Sequence, residues 1–174
     1  MAYLMTIDSG NTHIKWGLHD GSHWLEQGTL AQDKSILLQQ EWKSLPTPHD
    51  IIISNVSSIE TKKKLSEFLS CWKIKPRWIT PLAYQCGVRN YYADPSLLGS
   101  DRWAALIAAW NWQQKGCLVI DVGTAMTVDV LSDTGEFLGG IIVPGFELMR
   151  RALTTNITTL QNQEGEFSDF PNNT

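Results

Sequence analysis

Two segments of this chain place an aspartate, a glycine and small polar side chains directly after an apolar run. Residues 8–12 read DSGNT, and residues 121–124 read DVGT. Glycine lets backbone N–H groups approach anionic oxygens closely, and hydroxyl or amide side chains add further donors. An aspartate at such a loop would hold a metal ion or one of its waters. The two loops therefore indicate a site that clamps a nucleotide's phosphates from both sides, with Lys15 near enough to contribute a positive charge.

A third polar group stands where a long helix is predicted to begin, at residues 99–102, which read GSDR. The helix dipole keeps Asp101 ionised near the N-terminus, so it can act as a general base. Arg102 can bind a carboxylate or phosphate through two parallel hydrogen bonds. A plain helix cap with a solvated arginine explains the same four residues, so this motif alone does not decide between the two readings.

A fourth segment, residues 139–145, reads GGIIVPG. Its glycines suggest a close backbone approach, although a simple turn from strand to helix has the same pattern.

The composition excludes several classes of protein. With 43% hydrophobic and 18% charged residues, the 174-residue chain is typical of a globular protein rather than a disordered one. A net charge of −4 and a pI near 5.5 disfavour a general nucleic-acid binder. Three widely spaced cysteines without a CxxC or Cys/His pattern indicate reduced thiols rather than zinc ligands.

Two further patterns are missing from the sequence. There is neither a signal-peptide pattern nor an apolar run of ~20 residues, so we expect a cytoplasmic protein without a membrane partner. Neither GxxxxGK[ST] nor GxGxxG occurs, so a nucleotide site would be of the two-loop kind.

The elements that position these motifs alternate between strands and helices, which indicates an α/β fold. Strands are predicted at residues 3–7, 13–18, 24–30, 51–53, 77–79, 118–120, 126–131 and 137–143, and helices at 35–42, 59–71, 97–114 and 144–153.

The first three strands and the last three resemble each other at an offset of 113 residues. Asp8 aligns with Asp121, Leu18 with Leu131 and Leu25 with Leu138, without a gap. Two similar hairpins could coincide by chance, but the pattern favours a duplicated domain around a cleft. We predict a first domain over residues 1–115 and the first part of a second over 116–174, whose remainder is absent. If no further chain or partner covers it, one apolar face of the second sheet is expected to be bare.

Taken together, the motifs resemble those of type III pantothenate kinases, which belong to the acetate and sugar kinase/Hsp70/actin superfamily. The matching pieces run along essentially the whole chain. They are DSGNTHIK at 8–15, Tyr92 followed by GSDR at 99–102, DVGTAMTVD at 121–129, GGIIVPG at 139–145, and Asn173-Thr174.

The resemblance implies duplicated ribonuclease-H-like (actin-like ATPase) domains and phosphorylation of pantothenate to 4'-phosphopantothenate, the first step of coenzyme A biosynthesis. It implies Asp101 as catalytic base, ATP with Mg2+, a monovalent cation (K+ or NH4+) on Asp121, and a homodimer. By position, the ATP contacts would be Asp8, Ser9, Gly10, Asn11, Thr12, His13, Ile14, Lys15 and Thr124. The pantothenate contacts would be Tyr92, Gly99, Ser100, Asp101, Arg102 and Thr174, the last reaching across the dimer interface.

Two other functions are compatible with parts of the pattern. One is a non-catalytic or regulatory, transcription-associated protein that keeps the kinase fold. The other is a nuclease that holds two metal ions with Asp8, Asp121 and Asp129. The acidic pI disfavours the nuclease, and the undamaged motifs disfavour the regulatory protein.

Overall fold

The computed structural model describes residues 2–157. Its first sheet has five strands in the order β3-β2-β1-β4-β5. β1 (Leu4–Ser9), β2 (His13–His19) and β3 (Trp24–Ala31) form an antiparallel meander. β4 (Asp50–Asn55) and β5 (Arg77–Trp78) continue the sheet in parallel beyond β1. Three antiparallel strands followed by parallel ones is the arrangement of a ribonuclease-H-like half.

The first core lies on one face of this sheet. Because side chains alternate along a strand, Met5, Ile14 and Ile51 point to the same side, and all three are fully buried. α1 (Leu38–Trp42) and α2 (Ile59–Leu69) contribute Trp42 and Leu65 to the same core. The opposite face of the sheet is left free for the cleft described below.

The helices flanking this core follow the predictions in one case and differ in the other. α2 begins after Ser58, whose Oγ accepts a hydrogen bond of 3.1 Å from the backbone N–H of Thr61, as an N-cap should. The helix predicted over 35–42 is instead a 3-10 helix at Gln32–Leu37 followed by α1. No side chain caps the start of that 3-10 helix.

The second sheet has the order β6-β7-β10-β9-β8. β8 (Cys117–Val122), β9 (Ala125–Leu131) and β10 (Glu136–Pro144) repeat the antiparallel meander of the first sheet. β6 (Tyr84–Gln85) and β7 (Val88–Asn90) form a hairpin that extends the sheet beside β10.

The β6–β7 hairpin is missing from the sequence prediction. Its two-residue turn, Cys86 and Gly87, has positive φ at both positions, 50° and 84°. Such a turn suits the twist of a hairpin, but cysteine is rarely its first residue. The local sequence therefore carries no strong signal for it.

The repeat is present, but its spacing is not constant. Asp8 lies opposite Lys15 in the β1–β2 pair, whereas Asp121 lies opposite Thr127 in the β8–β9 pair. An offset of 113 would instead place residue 128 opposite Asp121. The constant offset is therefore wrong along β9, where counterparts lie 112 residues apart.

The cause is the length of the connecting loops. Thr12 and Thr124 stand at corresponding positions, so the first loop contains Asn11 as an additional residue. The turn between β9 and β10 is one residue longer than its counterpart, which restores the offset of 113. Both third strands then carry a β-bulge at the same place, at Leu25 and at Leu138. A shared bulge supports the duplication more strongly than shared turn residues do.

α3 (Ser100–Gln113) lies between the two sheets. Its Trp103 and Leu106 are fully buried in the second core, together with Val88 and Phe137. The predicted division at residues 115 and 116 stays a prediction, and the second core draws on residues from both sides of it.

The face of β8, β9 and β10 opposite α3 is apolar and open among the described residues. Leu118, Ile120 and Val122 of β8 are 61%, 56% and 65% exposed, and Ile141 of β10 is 58% exposed. The corresponding face of the first sheet is covered by α1 and α2. α4 (Phe146–Asn156) follows β10. No helix in the described part of the chain is long and apolar enough to cross a membrane.

Candidate active site

A cavity of about 530 Å³ lies between the free face of the first sheet and α3. Four charged side chains line it: Asp8 from β1, Lys15 from β2, Asp101 from α3 and Asp121 from β8. The sequence motifs that supply them are far apart along the chain, and the fold brings them to one place. Further lining residues are Thr6, Gly17, Trp24, Ile52, Ser54, Ile79, Ala104 and Ala105.

The carboxylates in this cleft repel one another. The pKa of Asp8 is raised above its ordinary value of 3.8, first by burial and then by the negative charge of Asp101, with a smaller effect from Asp121. The charge of Lys15 and a hydrogen bond from Ser54 act in the opposite direction. The cleft therefore has an excess of negative charge, which a bound cation would relieve.

Asp101 stands in the first turn of α3, with its carboxylate close to the glycine that precedes the helix. A Cβ on Gly99 would lie 2.5 Å from Asp101 Oδ1, closer than such atoms normally approach. The carboxylate also accepts a hydrogen bond of 2.7 Å from the backbone N–H of Arg102. The helix start thus fixes the carboxylate on the side that lines the cleft.

The two phosphate-type loops touch each other at the end of the cleft. Thr12 Oγ1 and Thr124 Oγ1 share a hydrogen bond of 2.7 Å. Each loop is closed by its glycine: Gly10 N–H donates to a backbone carbonyl across the turn at 3.0 Å, and Gly123 N–H does the same at 3.0 Å. Asn11 in the first loop is exposed. The predicted meeting of the loops is therefore seen in the structure.

Two of the predicted ATP contacts cannot use their side chains, whereas His13 is exposed beside the loop. Ser9 and Ile14 are both fully buried, Ile14 in the first core and Ser9 beside Gln32. The Gln32 amide donates a hydrogen bond of 3.1 Å to Ser9 Oγ and another to the Gly10 carbonyl oxygen. Ser9 and Ile14 can offer only backbone groups to a ligand.

Several of the predicted substrate contacts are engaged within the protein. Ser100 is buried, and its Oγ lies 3.0 Å from Ser54 Oγ and accepts a hydrogen bond of 3.1 Å from the Asn55 backbone N–H. Arg102 is not among the residues that line the cavity described above, and its guanidinium forms a buried ion pair with Asp129. Thr174 lies outside the described residues.

Tyr92 lies on the same side of α3 as this ion pair. Its ring packs against Phe137, with the ring centroids 5.2 Å apart. The hydrogen bonds that Arg102 donates to Asp129 are the main cause that raises the pKa of its guanidinium, and the nearby Tyr92 side chain has a smaller effect in the same direction.

The nuclease interpretation does not fit this geometry. Asp129 is 1% exposed and is occupied by Arg102, so it cannot join Asp8 and Asp121 around two metal ions. Within residues 2–157 no three His, Cys, Asp or Glu side chains are grouped as a metal site. A cation in this cleft would need ligand oxygens beyond the protein's own carboxylates.

Two polar residues that shape the cleft are not predicted from the sequence. Ser54 lines it at the carboxyl end of β4, and Gln32 holds the first loop from behind. Ser54 was detectable in principle, because a polar residue after an apolar run at the end of a parallel strand faces the ligand edge of such sheets. Gln32 has no comparable signal, since its contact depends on the path of the chain after β3.

Comparison with known proteins identifies a family whose sequence pattern this chain matches. The family model for type III pantothenate kinase matches residues 4–174. A protein from Nitrosospira multiformis described as a type III pantothenate kinase is 56% identical to this chain over 98% of its residues. One from Nitrosomonas eutropha with the same description is 52% identical over 99% of the chain. The chain spans 65% and 68% of the lengths of these two relatives.

A solved structure shares the fold. The Campylobacter jejuni protein described as a Baf family transcriptional activator superposes with a TM-score of 0.56 over 97% of this chain and 68% of its own, at 23% sequence identity. The expected α/β fold of duplicated ribonuclease-H-like domains is confirmed by this likeness and by the two repeated meanders.

Proposed function

The chain belongs to the type III pantothenate kinase family, and from this premise we propose that it transfers the terminal phosphoryl group of ATP to the primary hydroxyl of pantothenate. The products are 4'-phosphopantothenate and ADP, the first step of coenzyme A biosynthesis. The observation that supports the proposal is the cleft, which Asp8, Lys15, Asp101 and Asp121 line together. The two loops, which Thr12 and Thr124 join through a hydrogen bond, lie at its end.

Asp101 is the general base. A primary alcohol is a weak nucleophile, so a carboxylate that accepts its proton as the oxygen attacks the γ-phosphorus assists the step. The bond from that phosphorus to the bridging oxygen of ADP breaks, and the negative charge leaves with ADP. The rest of the catalysis is positioning and charge neutralisation, for which the chain offers Lys15 and the loop N–H groups.

The cleft residues fit a cation, because three carboxylates repel one another there. Carboxylate oxygens suit Mg2+, which usually takes one or two protein ligands and completes its shell with phosphates and waters. We assign Asp8 to the Mg2+ that accompanies ATP and Asp121 to a monovalent cation, K+ or NH4+. When bound, these ions supply positive charge to the phosphate oxygens.

The remaining contacts follow the family resemblance. The ATP phosphates would lie along the backbone of residues 8–15 and beside Thr124. Pantothenate would lie near Gly99 and Arg102, with Thr174 contributed by the second chain of a homodimer. Light scattering tests the dimer, because a chain of 19.6 kDa should then scatter as twice that mass. Localisation in the cytoplasm belongs to the same proposal.

Release of ADP in a coupled assay tests the activity and should require both ATP and pantothenate. Asp101→Asn should lower kcat by about 10²–10⁴-fold, since the base is lost while its shape is kept. Calorimetry should still detect pantothenate binding to this variant. Asp133→Asn, an exposed aspartate in the β9–β10 turn, is the matched control and should keep wild-type kinetics.

Two results would contradict this proposal in different ways. Full activity of Asp101→Asn would remove the base assignment and leave the kinase. No binding of ATP or pantothenate to the wild-type chain would favour the regulatory protein that keeps the fold.

A further inference from the structure

The ion pair of Arg102 and Asp129 is buried, and the mechanism above does not use it. The side chains are 8% and 1% exposed. Arg102 Nε donates to both carboxylate oxygens of Asp129, at 3.0 and 3.2 Å, and Nη2 donates to Oδ1 as well. A guanidinium held through two of its nitrogens is fixed in orientation as well as in position.

A glycine of the GGIIVPG segment makes room for this pair. Gly140 on β10 lies opposite Asp129 on β9. A Cβ at Gly140 would collide with Asp129 Oδ1 and lie 2.7 Å from both Arg102 Nη2 and the backbone carbonyl oxygen of Val128 on β9. Three of the motifs, on α3, β9 and β10, thus converge on one contact.

The pair forms a polar layer between the second core and the cleft. On the core side, the Phe137 ring centroid lies 5.8 Å from Arg102 Cζ. On the cleft side, the next inward-facing residue of β9 is Thr127, which lies opposite Asp121. Arg102 itself directly follows Asp101 in the first turn of α3.

Stability alone does not explain why such a pair is present. Removing two charges from water costs about as much as their attraction returns, so apolar side chains of similar volume often stabilise a core equally well. Orientation is what the ion pair adds here. Asp129 accepts hydrogen bonds from Nε and Nη2 of Arg102 and none from Nη1, and the Tyr92 side chain lies near the guanidinium.

We infer that Asp129 is a positioning residue for the phosphoryl acceptor. By holding Arg102, it keeps the edge of the guanidinium that lies beside Tyr92 aligned with the acceptor. Because Asp101 directly precedes Arg102, its carboxylate is kept aligned as well. Gly140 is required for the same purpose, because any side chain there displaces the pair. The inference rests on the proposed kinase function and extends it to two residues outside the predicted contacts.

Steady-state kinetics of Asp129→Asn test the inference, because the amide keeps the shape but cannot neutralise the guanidinium. The KM for pantothenate should rise about tenfold to hundredfold, while the KM for ATP stays within about twofold. Asp129→Glu keeps the charge on a longer side chain and should recover part of the affinity. Gly140→Ala should resemble Asp129→Asn, and Asp133→Asn should match the wild type.

A purely structural role would give a different pattern. Variants that lose stability while their folded fraction keeps the wild-type KM for pantothenate would overturn the inference, as would an equal rise of both KM values. If Asp129→Asn does not fold, the same split is required of Asp129→Glu, and its absence there is equally decisive.

A measurement without turnover separates this inference from the proposed function. The Nε–Hε signal of Arg102 in the NMR spectrum should be protected from exchange in the wild type and in Asp133→Asn, and should lose that protection in Asp129→Asn. If the wild type proved inactive with pantothenate, the kinase proposal would fail while this signal still reported on the ion pair. Protection that persists in Asp129→Asn would contradict the geometry of the inference itself.

Discussion

The carboxylates of the cleft show how single functional residues can lower the stability of the folded state. The folded state raises the pKa of Asp8 above 3.8, through burial and the charge of Asp101, so it disfavours the ionised form that prevails at neutral pH. An aspartate in the β2–β3 turn shows the opposite effect. Backbone N–H groups of His23 and Ser22 donate to Asp20 and lower its pKa, so its ionised form is stabilising.

Asp8→Asn should therefore make the protein more stable at pH 7 while it impairs catalysis. We expect a gain below about 1 kcal/mol, because the cleft is open to solvent, and thus a Tm increase of no more than about 2–4 °C. The gain should vanish as the pH falls below 3.8, where the carboxyl group is protonated in both the folded and the unfolded state. Thermal denaturation of the variant and the wild type across pH 3–8 measures it.

Asp20→Asn provides the contrasting control for that experiment. Its carboxylate contributes stability above the ordinary pKa, so the substitution should be neutral or slightly destabilising at pH 7, with the loss fading in acid. A lower Tm for Asp8→Asn at pH 7 would show that the charge of Lys15 outweighs the repulsion.

Among the elements, α3 does the most to assemble the cleft. Its first turn presents Asp101 to the cleft and Arg102 to the second sheet, and Ser100 joins it to the end of β4 through Ser54. Successive helix positions point in different directions, so one turn can serve three surroundings. Small disturbances of this turn should therefore affect turnover more than stability.

Gly99→Ala is the sharpest such disturbance. The new Cβ would stand 2.5 Å from Asp101 Oδ1, and the flexible carboxylate would move away at little cost to stability. Displacement of a catalytic group by about 1 Å can cost on the order of a hundredfold, so kcat should fall by about tenfold to a hundredfold with a nearly unchanged Tm. Gly116→Ala, just before β8, is the control and should leave kcat unaltered. An unchanged kcat in Gly99→Ala would mean that Asp101 is not held as described.

The sequence predicted these elements far better than it predicted their contacts. Apolar periodicity identified the strands of both meanders, and the two Asp-x-Gly motifs predicted that Asp8 and Asp121 share one cleft. Asp101 was placed with them through the family resemblance. Arg102 looked like a free ligand-binding arginine because its partner, Asp129, lies on β9, 27 residues further along the chain, and nothing in the sequence near Arg102 indicates the ion pair. The one-residue shift along β9 was invisible for a similar reason: a shorter loop and a longer turn cancel in an ungapped alignment.

At the scale of the whole fold, as residues 2–157 describe it, the most unusual feature is the exposed apolar face of β8, β9 and β10. Leu118, Ile120 and Val122 are each more than half exposed and lie side by side on one strand face. Monomeric soluble proteins rarely expose so contiguous an apolar patch. This face should therefore bind apolar dyes or promote association of the isolated chain.

Ile120→Lys tests that expectation, because one charge in the middle of the patch disrupts it without touching a core. Fluorescence of anilinonaphthalene sulfonate and the scattered light intensity should both fall severalfold, with little change in Tm. Ile59→Lys is the control, since Ile59 is 76% exposed but stands alone at the start of α2. Equal dye binding by all three proteins would show that the patch is not accessible in solution.

The position of α3 also bears on whether the two halves could ever be separated. The helix precedes β8 in the chain, yet Trp103 and Leu106 complete the core that the later strands surround. If the protein were cut between α3 and β8, the downstream fragment would expose the sheet face that α3 covers in the intact protein. The upstream fragment would expose the apolar side of α3. Each fragment would carry what the other lacks, so mixing the two should restore the fold by complementation.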